Sequence, residues 1–277
     1  MSQRPIDFCS WLRQRVAERL RAAGEIDEDA AEALAQQVYS QWVDEPQQRL
    51  GGLSVRAWFA AIQTPEELIE LLRSYEEFDL EVPELLLERI EQMGAACAFA
   101  LSRLARSQDD GCAQSRATAL ELLFELDAGA AAEIAIESVC AAQQSDPVCE
   151  CAAQRLGQRA SCAARERLLA AYETAPEFAQ MLILEILCNF PGDERIYEYV
   201  RQMLINRPDQ RAFAARLLGK LGDERGIDPL RALLAQSDLS YFEYMEIRNA
   251  IEELGGDAGP EREFYGDPDY EYMRNLE

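Results

Sequence analysis

Apolar positions recur at intervals of three and four along most of the chain, and short segments rich in Gly, Pro or Asp separate the runs. Such spacing predicts amphipathic helices joined by short loops. The first helix, from about residue 5 to 23, sets Phe8, Trp11, Leu12, Val16 and Leu20 on one face and stops at Gly24. A second, over about 27–43, presents Ala30, Leu34, Val38 and Trp42. Gly51-Gly52 then breaks the chain before a short helix holding Val55, Trp58, Phe59 and Ile62.

From Thr64 a rhythm of helix pairs begins. Thr64-Pro65-Glu66-Glu67 is a helix opening: threonine caps, proline takes the first helical position, and the glutamates favour the positive end of the dipole. The apolar spacing pairs this helix with one opening at Pro83-Glu84, then 95–107 with 112–126, 130–143 with 147–156, and 163–172 with 177–188. Two further pairs follow, 196–204 with 211–221 and 227–234 with 241–254. Met181-Leu182-Ile183-Leu184 leaves little room for a wet face, so its helix is expected to be buried on most sides. Three regions result: a helical cap over 1–63, helical repeats over 64–257, and an acidic aromatic tail over 258–277, expected to lie loosely over the last repeat.

Two segments about thirty residues apart carry nearly the same text, Phe190-Pro191-Gly192-Asp193-Glu194-Arg195-Ile196 and Leu221-Gly222-Asp223-Glu224-Arg225-Gly226-Ile227. A period of that length in helical text is the mark of stacked helix pairs. Gly222 suits a left-handed helix stop and Asp223 the cap of the next helix. The segment 208–223, with Asp209, Arg211 and Ala214-Ala215 at its start and Leu218-Gly219-Lys220-Leu221-Gly222-Asp223 at its end, resembles a HEAT-type repeat of the short subclass named after phycobilisome lyases. The resemblance covers one repeat well, 190–195 and 254–257 loosely, and the first two hundred residues only by rhythm. It implies an all-α fold, an α-α superhelix in which antiparallel helix pairs form a right-handed solenoid. Second helices of such pairs line a concave surface that usually binds proteins.

Composition narrows the chemistry. The 277 residues are 48% hydrophobic, ample for a continuous core, and carry 51 acidic against 27 basic side chains, a net charge of −24. Phosphate backbones would be repelled, so the balance argues against nucleic acid and for a neutral or basic protein or peptide partner. Lys220 is the only lysine. The absence of histidine removes the commonest general base and metal ligand, and with it Ser-His-Asp and Cys-His hydrolysis and the di-iron chemistry of the hydroxylases that share the HEAT repeat.

Eight cysteines occur without a CxxC pair, and the opening residues hold no apolar run of the signal-peptide kind, which together predict a reducing cytoplasm and no membrane span. Most lie in alanine-rich helical text as small apolar residues. Cys149 and Cys151 would fall on different helix faces, which disfavours a thiolate metal site with Cys140 or Cys162. No metal, organic cofactor or catalytic group is therefore expected.

Three surfaces are candidates for recognition. Residues 65–91 hold ten acidic side chains, including Glu76, Glu77, Asp79 and Glu81, which read either as a hydrated face or as a basic-peptide site. The first helix carries Arg13, Arg15, Arg19 and Arg21 opposite its apolar face, and reads as an N-terminal cap or as a partner or membrane-surface helix. The second helices offer polar positions at i, i+4 spacing: Gln114, Thr118, Glu121 and Glu125, then Gln154 and Gln158, Glu185 and Asn189, Arg216 and Lys220. The expected function is a non-enzymatic scaffold or adaptor using that concave face. The alternative is a bilin-lyase-like, small-ligand-handling protein, whose inner face would be apolar with converging arginines.

Overall fold

The structure, a computed structural model, describes residues 4–107 and 110–275. It is all-helical: 74% of the chain is helix, and sixteen α-helices and no strand occur among the described residues. Two compact units divide it, Met1–Ala135 with Asp146–Ala152, and Ile136–Ser145 with Ala153–Glu277. The helices are α1 (Phe8–Ala23), α2 (Glu28–Asp44), α3 (Val55–Ala60), α4 (Pro65–Glu77), α5 (Glu84–Met93), α6 (Ala95–Ala105) and α7 (Ala113–Leu126). Then come α8 (Ala128–Ala141) and α9 (Pro147–Arg159), through which the division runs, followed by α10 (Cys162–Tyr172), α11 (Glu177–Leu187), α12 (Glu194–Asn206) and α13 (Arg211–Leu221). The last are α14 (Ile227–Leu234), α15 (Tyr241–Glu253) and a short α16 (Pro268–Arg274).

Helix starts follow the side chains that can satisfy orphan backbone donors. Asp7, Asp27, Ser54, Thr64 and Ser161 each accept from the backbone N–H three residues on, and Ser240 forms a reciprocal capping box with Glu243. One cap comes from far away in sequence: the Glu76 carboxylate at the end of α4 accepts the Gln114 and Ser115 N–H groups at 2.8 and 2.7 Å, holding the first turn of α7. A residue of the acidic segment is thus committed to structure, and Glu81 pairs with Arg13 at 2.9 Å.

In the first unit α1 packs on α2, α4 on α5 and α6, and α6 on α7. Phe8 is its aromatic hub, with ring centroids 5.1 Å from Phe59 and 5.3 Å from Trp58, while Trp11 meets Trp42 edge-on at 5.5 Å. Tyr75 is fully buried and donates its hydroxyl to the Ile6 carbonyl at 2.7 Å, tying the start of the described chain to α4.

In the second unit α10 packs on α11, α11 on α12, α12 on α13, and α14 on α15; the helices thus pack in neighbouring pairs, as in an α-solenoid. Its core is aliphatic: Ile183, Leu184, Leu187, Val200, Leu218, Leu230, Ile247 and Ile251 are all sealed from solvent, each burial contributing about 1.5–3 kcal/mol. The second helices α13 and α15 also pack closely. Gly219 permits it, since a β-carbon there would lie 3.2 Å from the Ala250 Cα.

Candidate functional site

The second helices of the second unit carry a strip of exposed polar groups, and it gathers most of the positions expected from spacing. Glu185 and Asn189 project from the end of α11, Arg216 and Lys220 from α13. Lys220 Nζ donates to the Glu185 carbonyl at 3.1 Å, and the Arg216 guanidinium lies 3.5 Å from the Glu185 carboxylate. Asn189 Nδ2 donates to the carbonyls of Glu185 and Ile186, both at 3.0 Å, which closes the last turn of α11. The same amide lies over α9: a β-carbon on Gly157 would sit 3.0 Å from Asn189 Nδ2, between the exposed Gln154 and Gln158. Glu121 and Glu125 are exposed on α7 and belong to the first unit.

One member of the strip was not anticipated. The Glu253 carboxylate on α15 reaches over Gly219, filling the space that a larger side chain there would take. Its signal in the sequence is its position near the end of a second helix, as Lys220 is near the end of α13. Glu185 and Glu253 against Arg216 and Lys220 leave the strip electrically balanced within a chain of net charge −24. Beneath it Cys188 is buried, and burial pushes its thiol up to about 12 against the opposing charge of Lys220. The strip therefore offers two carboxylates, two cations and three amides for hydrogen bonding over a thiol held protonated.

At the turns, the two Gly-Asp-Glu-Arg segments form matching clasps. Asp193 and Asp223 cap their helices by accepting the Arg195 and Arg225 N–H groups, each at 3.0 Å. Each arginine then grips a glutamate one repeat earlier through both terminal nitrogens: Arg195 to Glu166 at 2.9 and 2.6 Å, Arg225 to Glu194 at 2.9 and 2.8 Å. Arg225 also lies 4.3 Å over the Tyr197 ring. Hydrogen bonds from the arginines hold Glu166, Asp193, Glu194 and Asp223 below the ordinary carboxylate range. These are turn, cap and packing residues.

The tail is tied down by specific contacts. Arg248 donates to the Gly259 carbonyl at 2.8 Å, Tyr244 to that of Pro260 at 3.3 Å, and the Arg262 guanidinium stacks over Phe264 at 4.5 Å. Asp267 accepts from Tyr241 N at 2.9 Å and from Asp269 N at 3.0 Å, so one carboxylate caps α15 and α16 together.

Among the described residues no group of three or more Cys, Asp and Glu side chains is placed to hold a metal ion, and no helix is long and apolar enough to cross a membrane. Fold and strip define an all-α protein of paired helices. No protein-family model matches the chain, and no curated protein matches it.

Proposed function

We propose that the chain is a non-enzymatic scaffold or adaptor of the HEAT-like kind, binding a protein or peptide along its second helices in a reducing cytoplasm. The observation that carries this reading is the composition of the strip. Charges of both signs and amides at helical spacing form a polar, balanced surface of the kind suited to a protein partner, with hydrogen bonds setting register. A ligand-handling inner face would instead be apolar with converging arginines, and of the six strip positions expected on α9, α11 and α13 only Arg216 is an arginine. The acidic balance of the chain disfavours nucleic acid as the partner.

The test is site-specific photo-crosslinking. A benzoylphenylalanine at Gln158, with a control at exposed Gln202 on α12, is irradiated in lysate of the native host. The reading expects one protein captured from position 158 and not from 202, with capture lost in an Arg216→Glu, Lys220→Glu variant. Capture of no protein from the strip, with a coloured or small-molecule ligand co-purifying instead, would overturn it.

A further inference from the structure

The first unit contains an apolar cleft of about 280 Å³ between α1, α2, α3 and the start of α5. Phe8, Leu12, Tyr39, Trp42, Val55 and Pro83 form its walls. Pockets for drug-sized organic ligands run upwards from roughly 300 Å³, so this cleft lies at the small end of that range and has room for a large apolar side chain. Trp42 is only 2% exposed, and its indole Nε1 has no hydrogen-bond acceptor among the described residues.

The rim is acidic. Glu81 and Glu84 line the cleft and are exposed. The carboxylates acting on the lining residues Cys9 and Tyr39 are Asp7, Asp44, Glu81, Glu84 and Glu88, against the guanidinium groups of Arg13 and Arg56. Arg13 is already engaged by Glu81 and Arg56 by Asp44 and Glu88, which leaves Glu84 with no cation within ion-pair distance among the described residues. An apolar slot with surplus negative charge at its mouth selects an apolar group flanked by cations.

We propose that this cleft is a peptide-docking site, taking one large apolar side chain of a partner segment while lysines or arginines beside that anchor meet Glu84 and its neighbours. The anchor supplies the buried contact that dominates peptide affinity, and the flanking cations supply selectivity. The site goes beyond the strip on the second helices and does not depend on it.

The chain holds three tryptophans, so the indole region of a 15N spectrum reports the cleft directly once Trp42→Phe assigns its signal. The full chain is titrated with a short acetylated peptide carrying one leucine between pairs of arginines. The Trp42 indole signal is expected to shift saturably. Replacing the leucine by alanine, or the arginines by glutamates, should weaken binding about tenfold or more. Glu84→Gln should cost about two- to fivefold, and Leu12→Trp, which fills the slot, should abolish the shift. If Leu12→Trp fails to fold, Glu84→Gln and the altered peptides still decide the matter. An unmoved Trp42 signal, an alanine or glutamate peptide that binds equally well, or equal occupancy by a neutral detergent would overturn the proposal. Arg216→Glu with Lys220→Glu should leave the titration unchanged, whatever becomes of the strip.

Discussion

Arg225 grips Glu194 through both terminal nitrogens, and the residue adjacent to that glutamate, Arg195, makes the same grip on Glu166. Neighbouring positions in one turn thus face opposite ways along the repeat, one held from ahead and one holding behind. The cause is local: Asp193 and Asp223 fix the turn by capping it and orient each arginine backwards.

Acid should weaken these clasps. Glu166, Asp193, Glu194 and Asp223 are held below their ordinary values in the folded chain, so their contribution is complete above the unfolded carboxylate range of about 4 and is lost as pH falls through the lowered folded values. Thermal melting should be level from neutral pH to about pH 5 and drop below about pH 4. Arg195→Ala with Arg225→Ala should make that drop shallower, and high salt should do the same. An unchanged acid profile in the double variant would contradict this.

Two glycines should respond for different reasons. Gly222 ends α13 at φ 70° with open space around its missing β-carbon, so Gly222→Ala should cost about 1–2 kcal/mol of backbone strain alone. At Gly256 an added β-carbon would lie 2.9 Å from Ile251 Cγ2 and 3.1 Å from Ile227 Cγ2, and Gly256→Ala should cost about 1–3 kcal/mol through overpacking. Urea unfolding measures both.

Core and strip should separate cleanly. Leu218 is fully buried in the second unit, and Leu218→Ala should lower stability by about 2–5 kcal/mol. Gln158→Ala, on the exposed face of α9, should stay within about 0.5 kcal/mol. Partner capture should show the reverse order.

Asp267→Ala removes caps from two helices at once. A loss of about 1–2 kcal/mol is expected, with faster amide exchange at Tyr241, Asp269 and Tyr270. Fraying of α16 alone, with Tyr241 still protected, would show that the tail does not brace α15.

Thiol reactivity should follow burial. Cys162 is exposed, whereas burial pushes Cys188 up to about 12 and Cys9 up to about 11, and raises Cys97 and Cys140. Alkylation at neutral pH, followed by peptide mass spectrometry, should label Cys162 first, about tenfold or more ahead of Cys188.

What the sequence disclosed was what depends on neighbours along the chain. Helix limits at Pro65, Arg211 and Leu234 follow from caps, prolines and apolar spacing within a few residues. The same kind of signal, Asp267-Pro268, marks α16, but seven residues give too little periodicity to register beside it. Six of the strip's seven groups were readable from i, i+4 spacing: Gln154 and Gln158, Glu185 and Asn189, Arg216 and Lys220. Glu253 was not, because its place depends on how closely Gly219 lets α15 approach. Glu76 and the cleft lay further out of reach: one caps a helix 38 residues on, and the other sets Glu81 against α1 across some seventy residues of chain.

The paired clasps also fix where this chain can begin to come apart. Residues 194 and 195 are a shared link, so an opened turn in the middle of that stretch must release a grip on each side, whereas the helix pair at either end needs to release only one. Heat, force or a protease should therefore open this stretch at its ends before its middle, and at the C-terminal end Asp267, which caps α15 and α16, is in effect the latch.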